Sequence, residues 1–362
     1  MVPSAPVNAK CQLARYKPIM LRLLAVSLLT LTFAWAKKPI PIKVVVVTMF
    51  ERGAPTGDSP GEMQLWVERE KLDRVYKFPQ GMQDLRGNDS GVLALCTGVG
   101  TAKAAAAVMA LGMDPRFDLT KAYWVVAGIA GIDPADGSLG SAAWAEWVVD
   151  GDLGHEIDSR EIPREWTTGF IPLRRSVPYE MPRRVPDEGE VFRLDPKLVD
   201  WAFRLTKDVK LEDSEAMRTQ RLRFSGVNAQ RPPFVMKGDT MSSMTFWHGK
   251  LLNQWANDWV AYFTDRKGNY VTTAMEDTGT LQSLTLLGPT GKVDPRRALV
   301  LRTASNFDQQ RDGITAAESL AETKIGSYAA FVPSLEAAHK VGSVVVRELV
   351  RNWARYRNTL PE

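Results

Sequence analysis

The first long apolar run, residues 43–49, contains four consecutive valines and reads as a fully buried strand. Residues 91–97 form a second such run. An alanine-rich helical stretch, 101–111, follows it directly after Gly98-Val99-Gly100. Residues 121–127 predict a third strand, ending in Gly128-Ile129-Ala130-Gly131, and residues 142–149 a fourth. Beyond them, 233–237, 270–275 and 298–303 read as strands. Helices are expected within 195–223 and over 243–265, 278–287 and 334–356, the last with apolar residues three and four apart. Residues 159–189 break the alternation: Pro163, Pro172, Pro178, Pro182 and Pro186 fall among charges, predicting a long surface excursion. Strands alternating with helices, with glycines at strand ends, predict one α/β domain: a twisted mixed β-sheet flanked by helices. Such sheets bind ligands beyond the carboxyl ends of their strands.

One apolar run does not belong to the sheet. Residues 23–35 carry no charge, follow Arg22, and end in Ala34-Trp35-Ala36 before Lys37-Lys38. A charged start, a short apolar core and a small-residue site make a signal peptide, and the run is shorter than the roughly 20 residues that span a bilayer. Residues 1–36 are therefore expected to be an extension and signal, cleaved near Ala36. Residues 37–362 are expected to be the folded domain, periplasmic or secreted. No later stretch is long and apolar enough to predict a membrane span.

That boundary changes the charge. The chain has 46 basic and 42 acidic residues, but Lys10, Arg15, Lys17 and Arg22 all lie before residue 37, where there is no acid. The remainder is balanced, which argues against a nucleic-acid partner. Cys11 leaves with the signal and Cys96 remains alone, so no internal disulfide is expected. His155, His248 and His339 have no metal-ligand spacing, and no metal site is expected.

The polar residues that could carry chemistry sit at predicted strand ends. Thr97-Gly98-Val99-Gly100 leads into a helix, where glycines allow close approach of a ligand and the helix start favours an anion. A bare strand-to-helix turn explains it equally well. Met275-Glu276-Asp277 closes a strand: a carboxylate there can accept two hydrogen bonds from a vicinal diol, and the plainer reading is a helix cap. Ser305-Asn306-Phe307-Asp308 follows another strand and offers either a base-reading edge or a turn.

As an ordered set, residues 126–131, 147–150, 274–276 and 305–306 resemble the motifs of the nucleoside phosphorylase and nucleosidase superfamily. Within it, residues 41–356 are most similar to the purine nucleoside permease family. The resemblance implies a nucleoside-phosphorylase-like fold that handles purine nucleosides for uptake or salvage. Phosphate or water would be the second substrate, without a cofactor. It implies that Glu276 grips the ribose hydroxyls, that Met275 packs on the sugar and Phe246, or Trp247 beside it, on the purine, and that Thr97 and Gly98 lie on the phosphate or water side. It also implies that Ser305 and Asn306 face the base. Where many members have aspartate, this chain has Asn306, which cannot act as a general acid; Asp308 is a substitute. Glu51, soon after the first strand, is the expected activator of water, with Arg52 the alternative as a phosphate ligand. Two functions follow: an exported enzyme that cleaves the N-glycosidic bond, or a non-catalytic binder that serves a separate transporter. Superfamily members are often homo-oligomers.

Overall fold

The computed structural model describes residues 38–181, 189–322 and 328–362. The expected signal peptide and its cleavage point lie outside these residues. Pro39–Glu362 forms one compact body.

The valine strand Val44–Thr48 is buried at every position and pairs in parallel with Val92–Cys96 and Tyr123–Ile132. Tyr123–Ile132 also pairs in parallel with Ala298–Phe307 on its other side, and its far end meets Tyr270–Ala274 antiparallel. The sheet continues through Asp239–Ser242 to Trp147–Asp150 and Val191–Arg193. A branch runs from Ala298–Phe307 to Ala142–Ala145 and Val235–Lys237. The mixed sheet flanked by helices is as expected.

Several element ends differ from the sequence reading. The run 142–149 is two strands, because the Asp239 carboxylate accepts the backbone N–H groups of Glu146 and Trp147 and breaks the ladder there. The helix expected from 243 begins at Lys250. Before it, Asp152 holds the Ser243 hydroxyl and the Met244 N–H and keeps that segment in a loop. The strands expected to end at 127 and 303 run on to Ile132 and Phe307. Glycines made the first of these look like a turn.

Helix Thr101–Met113 packs along helix Asp277–Leu287 through two glycines. A Cβ on Gly279 would lie 2.2 Å from the Thr101 carbonyl oxygen, and one on Gly112 would lie 2.2 Å from the Leu287 side chain. Backbone cannot yield as a side chain can. Gly279→Ala is therefore expected to destabilise the protein by about 1–3 kcal/mol, as overpacking does. Urea unfolding measures this, and an unchanged midpoint would show that the helices separate freely.

Candidate functional site

The carboxyl ends of the central strands converge on one buried charge cluster. Arg302, the one charged residue in the middle of a fully buried strand and 1% exposed, needs counter-charges. Its guanidinium donates to Asp277 at 2.8 Å and to Glu276 Oε2 at 3.1 Å, and Nη1 donates to the Ile129 carbonyl. The other oxygen of Glu276 accepts the Gly100 N–H at 3.0 Å, and the Met275 carbonyl accepts the Thr101 hydroxyl. Gly100 has φ +100°, a conformation that favours glycine, and a Cβ there would press on the Met244 sulfur. The expected Thr97–Gly100 turn, the Met275–Glu276 corner and the 243–249 loop thus meet. Burial raises the Glu276 pKa, against the opposing pull of Arg302.

A second carboxyl joins from below. Glu62 is buried, with its oxygens accepting the N–H groups of Met49 at 2.7 Å and Ile129 at 2.8 Å. Gly128 makes room: a Cβ there would lie 2.6 Å from Glu62 Oε1 and 2.7 Å from Arg302 Nη1. Desolvation pushes the Glu62 pKa up to about 8, with Arg302 opposing and the negative charge of Glu276 adding to the rise. The sequence reading missed both Glu62 and Arg302.

Glu51 has a different setting. Its Oε1 accepts the N–H groups of Arg52 and Gly61, and Oε2 accepts that of Gln64 at the start of helix Gln64–Arg69. It ties the 51–61 excursion together. Arg52 is exposed, its guanidinium 5.3 Å above the Phe331 ring. Thr97 is buried, with its hydroxyl donating to the Gly98 carbonyl at 2.9 Å.

The strand Ala298–Phe307 shifts register between Ala304 and Asn306, leaving Ser305 as the extra residue of a bulge. Ser305 Oγ donates to Asn306 Oδ1 at 2.8 Å, and Asn306 Nδ2 donates to the Phe307 carbonyl. Both side chains line a cavity of about 120 Å³ whose walls include Phe224 and Phe307, their ring centroids 4.1 Å apart. Phe246 is 42% exposed and is not among the lining residues. Asp308 is enclosed, accepting from Asn253 and from the Tyr270 hydroxyl; burial raises its pKa well above the usual carboxylate range. His339 bonds Glu70 at 3.0 Å, a structural link. Among the described residues no cluster of histidine, cysteine and acidic side chains could hold a metal ion, and no helix is long and apolar enough to cross a membrane.

A family model described as purine nucleoside permease matches residues 41–361. A probable purine nucleoside permease from Schizosaccharomyces pombe is 31% identical over 272 residues, which span 73% of this chain and 77% of the relative. A purine nucleoside permease from Candida albicans is 30% identical over 266 residues, 72% of this chain and 64% of that one. Among solved structures, a putative 5′-methylthioadenosine/S-adenosylhomocysteine nucleosidase from Francisella philomiragia superposes with a TM-score of 0.51 at 14% identity, covering 84% of this chain and 99% of its own. The corresponding enzyme from S. pneumoniae, solved with a transition-state inhibitor, gives 0.50 at 14% identity, over 85% and 99%. At such identity the likeness is one of fold, and the fold is nucleoside-phosphorylase-like.

Proposed function

Because the chain belongs to the purine nucleoside permease family, we propose that it is an exported protein that takes up purine nucleosides for salvage and cleaves their N-glycosidic bond. The observation that carries this reading is the buried cluster of Glu276, Arg302 and Glu62 beside the Gly98–Gly100 turn, with Ser305 and Asn306, further along the strand of Arg302, lining a cavity. In this reading Glu276, oriented by Arg302 and the Gly100 N–H, accepts hydrogen bonds from both ribose hydroxyls, and Met275 lies on the sugar.

The bond from the sugar's anomeric carbon to the purine nitrogen breaks with its electron pair going to the base. An oxygen of water or phosphate then bonds to that carbon. For water, the released proton passes to Glu62, which shares the cluster with Arg302 and Glu276, whereas Glu51 does not. Arg52 and the Thr97–Gly98 turn are the candidates for a phosphate acceptor. The base leaves more readily when protonated, and Asn306 holds it without supplying that proton.

A second reading, a nucleoside-binding protein that hands its ligand to a separate transporter, draws on two observations. Asn306 stands where an acid is expected, and the Asp308 carboxyl is walled in by Tyr270 and Asn253. Incubating the purified protein with inosine, adenosine, guanosine and uridine, with and without phosphate, and separating the products decides between the two. Free purine supports the enzyme. Stoichiometric binding of intact nucleoside supports the binder, and binding of none of the four overturns both.

Asn306→Asp is expected to raise turnover of purine nucleosides, most at mildly acidic pH, because a positioned acid typically contributes about 10²–10⁴-fold. No change in rate or affinity for any nucleoside would place Asn306 outside the base pocket.

A further inference from the structure

The cavity beside Ser305 and Asn306 holds more hydrogen-bonding capacity than the protein uses. Arg311 Nε, the Tyr328 hydroxyl and His248 Nδ1 are buried atoms that meet no partner among the described residues, and all three side chains line it. Buried polar atoms are ordinarily paired, so orphans gathered in one cavity mark a place for a ligand. Their chemistry is lopsided. A guanidinium only donates, and the Tyr328 hydroxyl has a proton to give. His248 already bonds Ser319 through Nε2 at 2.9 Å, and burial lowers its pKa, so it serves as a neutral imidazole. Glu322, the acidic side chain on the rim, lies 3.7 Å from Arg311 Nη2 and is 56% exposed, so its charge is met by water. Phe224 and Phe307, packed against each other at 4.1 Å and tilted by 45°, give the cavity an aromatic wall.

We infer that this cavity is a base pocket that selects purines with a carbonyl at position 6, and that the Arg311 guanidinium reads the carbonyl oxygen. This rests on the nucleoside reading above and names the substrate class within it. In a 6-oxopurine the carbonyl oxygen and ring N7 are neighbouring acceptors, and a guanidinium can donate to both at once. An amino group at that position turns a donor toward donors, leaving Arg311 Nε without an acceptor.

The test is calorimetry on the full chain with inosine, adenosine and purine riboside, which has hydrogen at position 6. Inosine is expected to bind about 10–100-fold tighter than purine riboside, the range of one hydrogen bond to a charged group. Adenosine is expected to gain nothing over purine riboside. Arg311→Met should erase the inosine advantage, weakening inosine more than purine riboside, which shares only the ring N7 contact. Equal wild-type affinities for the three, or a preference for adenosine, overturn the inference while leaving nucleoside binding intact. Failure to bind any of them overturns the functional reading itself. Should Arg311→Met not fold, by circular dichroism, the wild-type ranking still decides. Tyr328→Phe, which removes a second donor, is then expected to narrow the inosine advantage.

Discussion

Glu276→Gln is expected to weaken nucleoside binding by about 10²–10⁴-fold, the loss of two hydrogen bonds to a charged acceptor at roughly 1.5–3 kcal/mol each. Free purine should be nearly unaffected. The contrast follows from where the carboxylate stands. It is locked at the end of the Tyr270–Ala274 strand by the Gly100 N–H on one oxygen and Arg302 on the other. A carboxylate has about four acceptor positions, so two protein donors leave room for a diol. Glutamine turns one oxygen into an amide that only donates. Arg302 keeps Asp277 as its partner, so the fold should hold. Titrating inosine and then hypoxanthine into both proteins separates the roles: equal losses for nucleoside and base would make Glu276 a structural residue.

Glu62→Gln is expected to cut the rate of hydrolysis by about 10²–10⁴-fold with nucleoside affinity retained, the usual contribution of a general base. The wild-type rate should climb with pH and level off above about 8, where the Glu62 carboxyl ionises, and the variant should lack that rise. Stability should move the opposite way. The folded protein holds the Glu62 proton up to about pH 8, whereas an unfolded chain releases it near the ordinary carboxylate value. Between these values the folded state binds more protons than the unfolded one, so the stabilisation is full at the acid end and lost as pH rises toward 8. Glu62→Gln should flatten that part of the profile. Single-turnover rates and urea midpoints across pH 5–9 test both. An unaltered rate in Glu62→Gln would leave Glu62 as a structural tie between Met49 and Ile129.

The buried strands and the loops at their ends were legible in the sequence because four- to six-residue apolar runs and glycine pairs are local signals. Gly98, Met275, Glu276, Ser305 and Asn306 each lie at the end of such a run or within three positions of it. Glu62 was not legible, since the 51–61 excursion carries it away from the strand it returns to. Glu51, nearer in sequence, spends its oxygens on backbone N–H groups of that excursion. Arg302 left a usable trace: a lone cation among apolar strand residues requires buried acids nearby, and Asp277 and Glu276 were the available ones. The loop before Lys250 was misread as helix because its polar tie, Asp152, lies about 90 residues earlier.

The cluster around Arg302 has one cation against Glu62, Glu276 and Asp277. With all three acids ionised it carries a surplus of two negative charges, and with Glu62 protonated a surplus of one. Such a surplus repels an anion and attracts a cation: at 5 Å and an effective dielectric of 20, each unit of charge is worth about 3 kcal/mol. A sugar ring that gains positive charge as its bond to the base stretches would be drawn to this site more than a neutral one. The same field sets a rule for inhibitors. Ring-protonated amine mimics of the sugar should outbind neutral ones, and their advantage should widen as the solution is made more alkaline through the Glu62 ionisation, for as long as the amine keeps its proton.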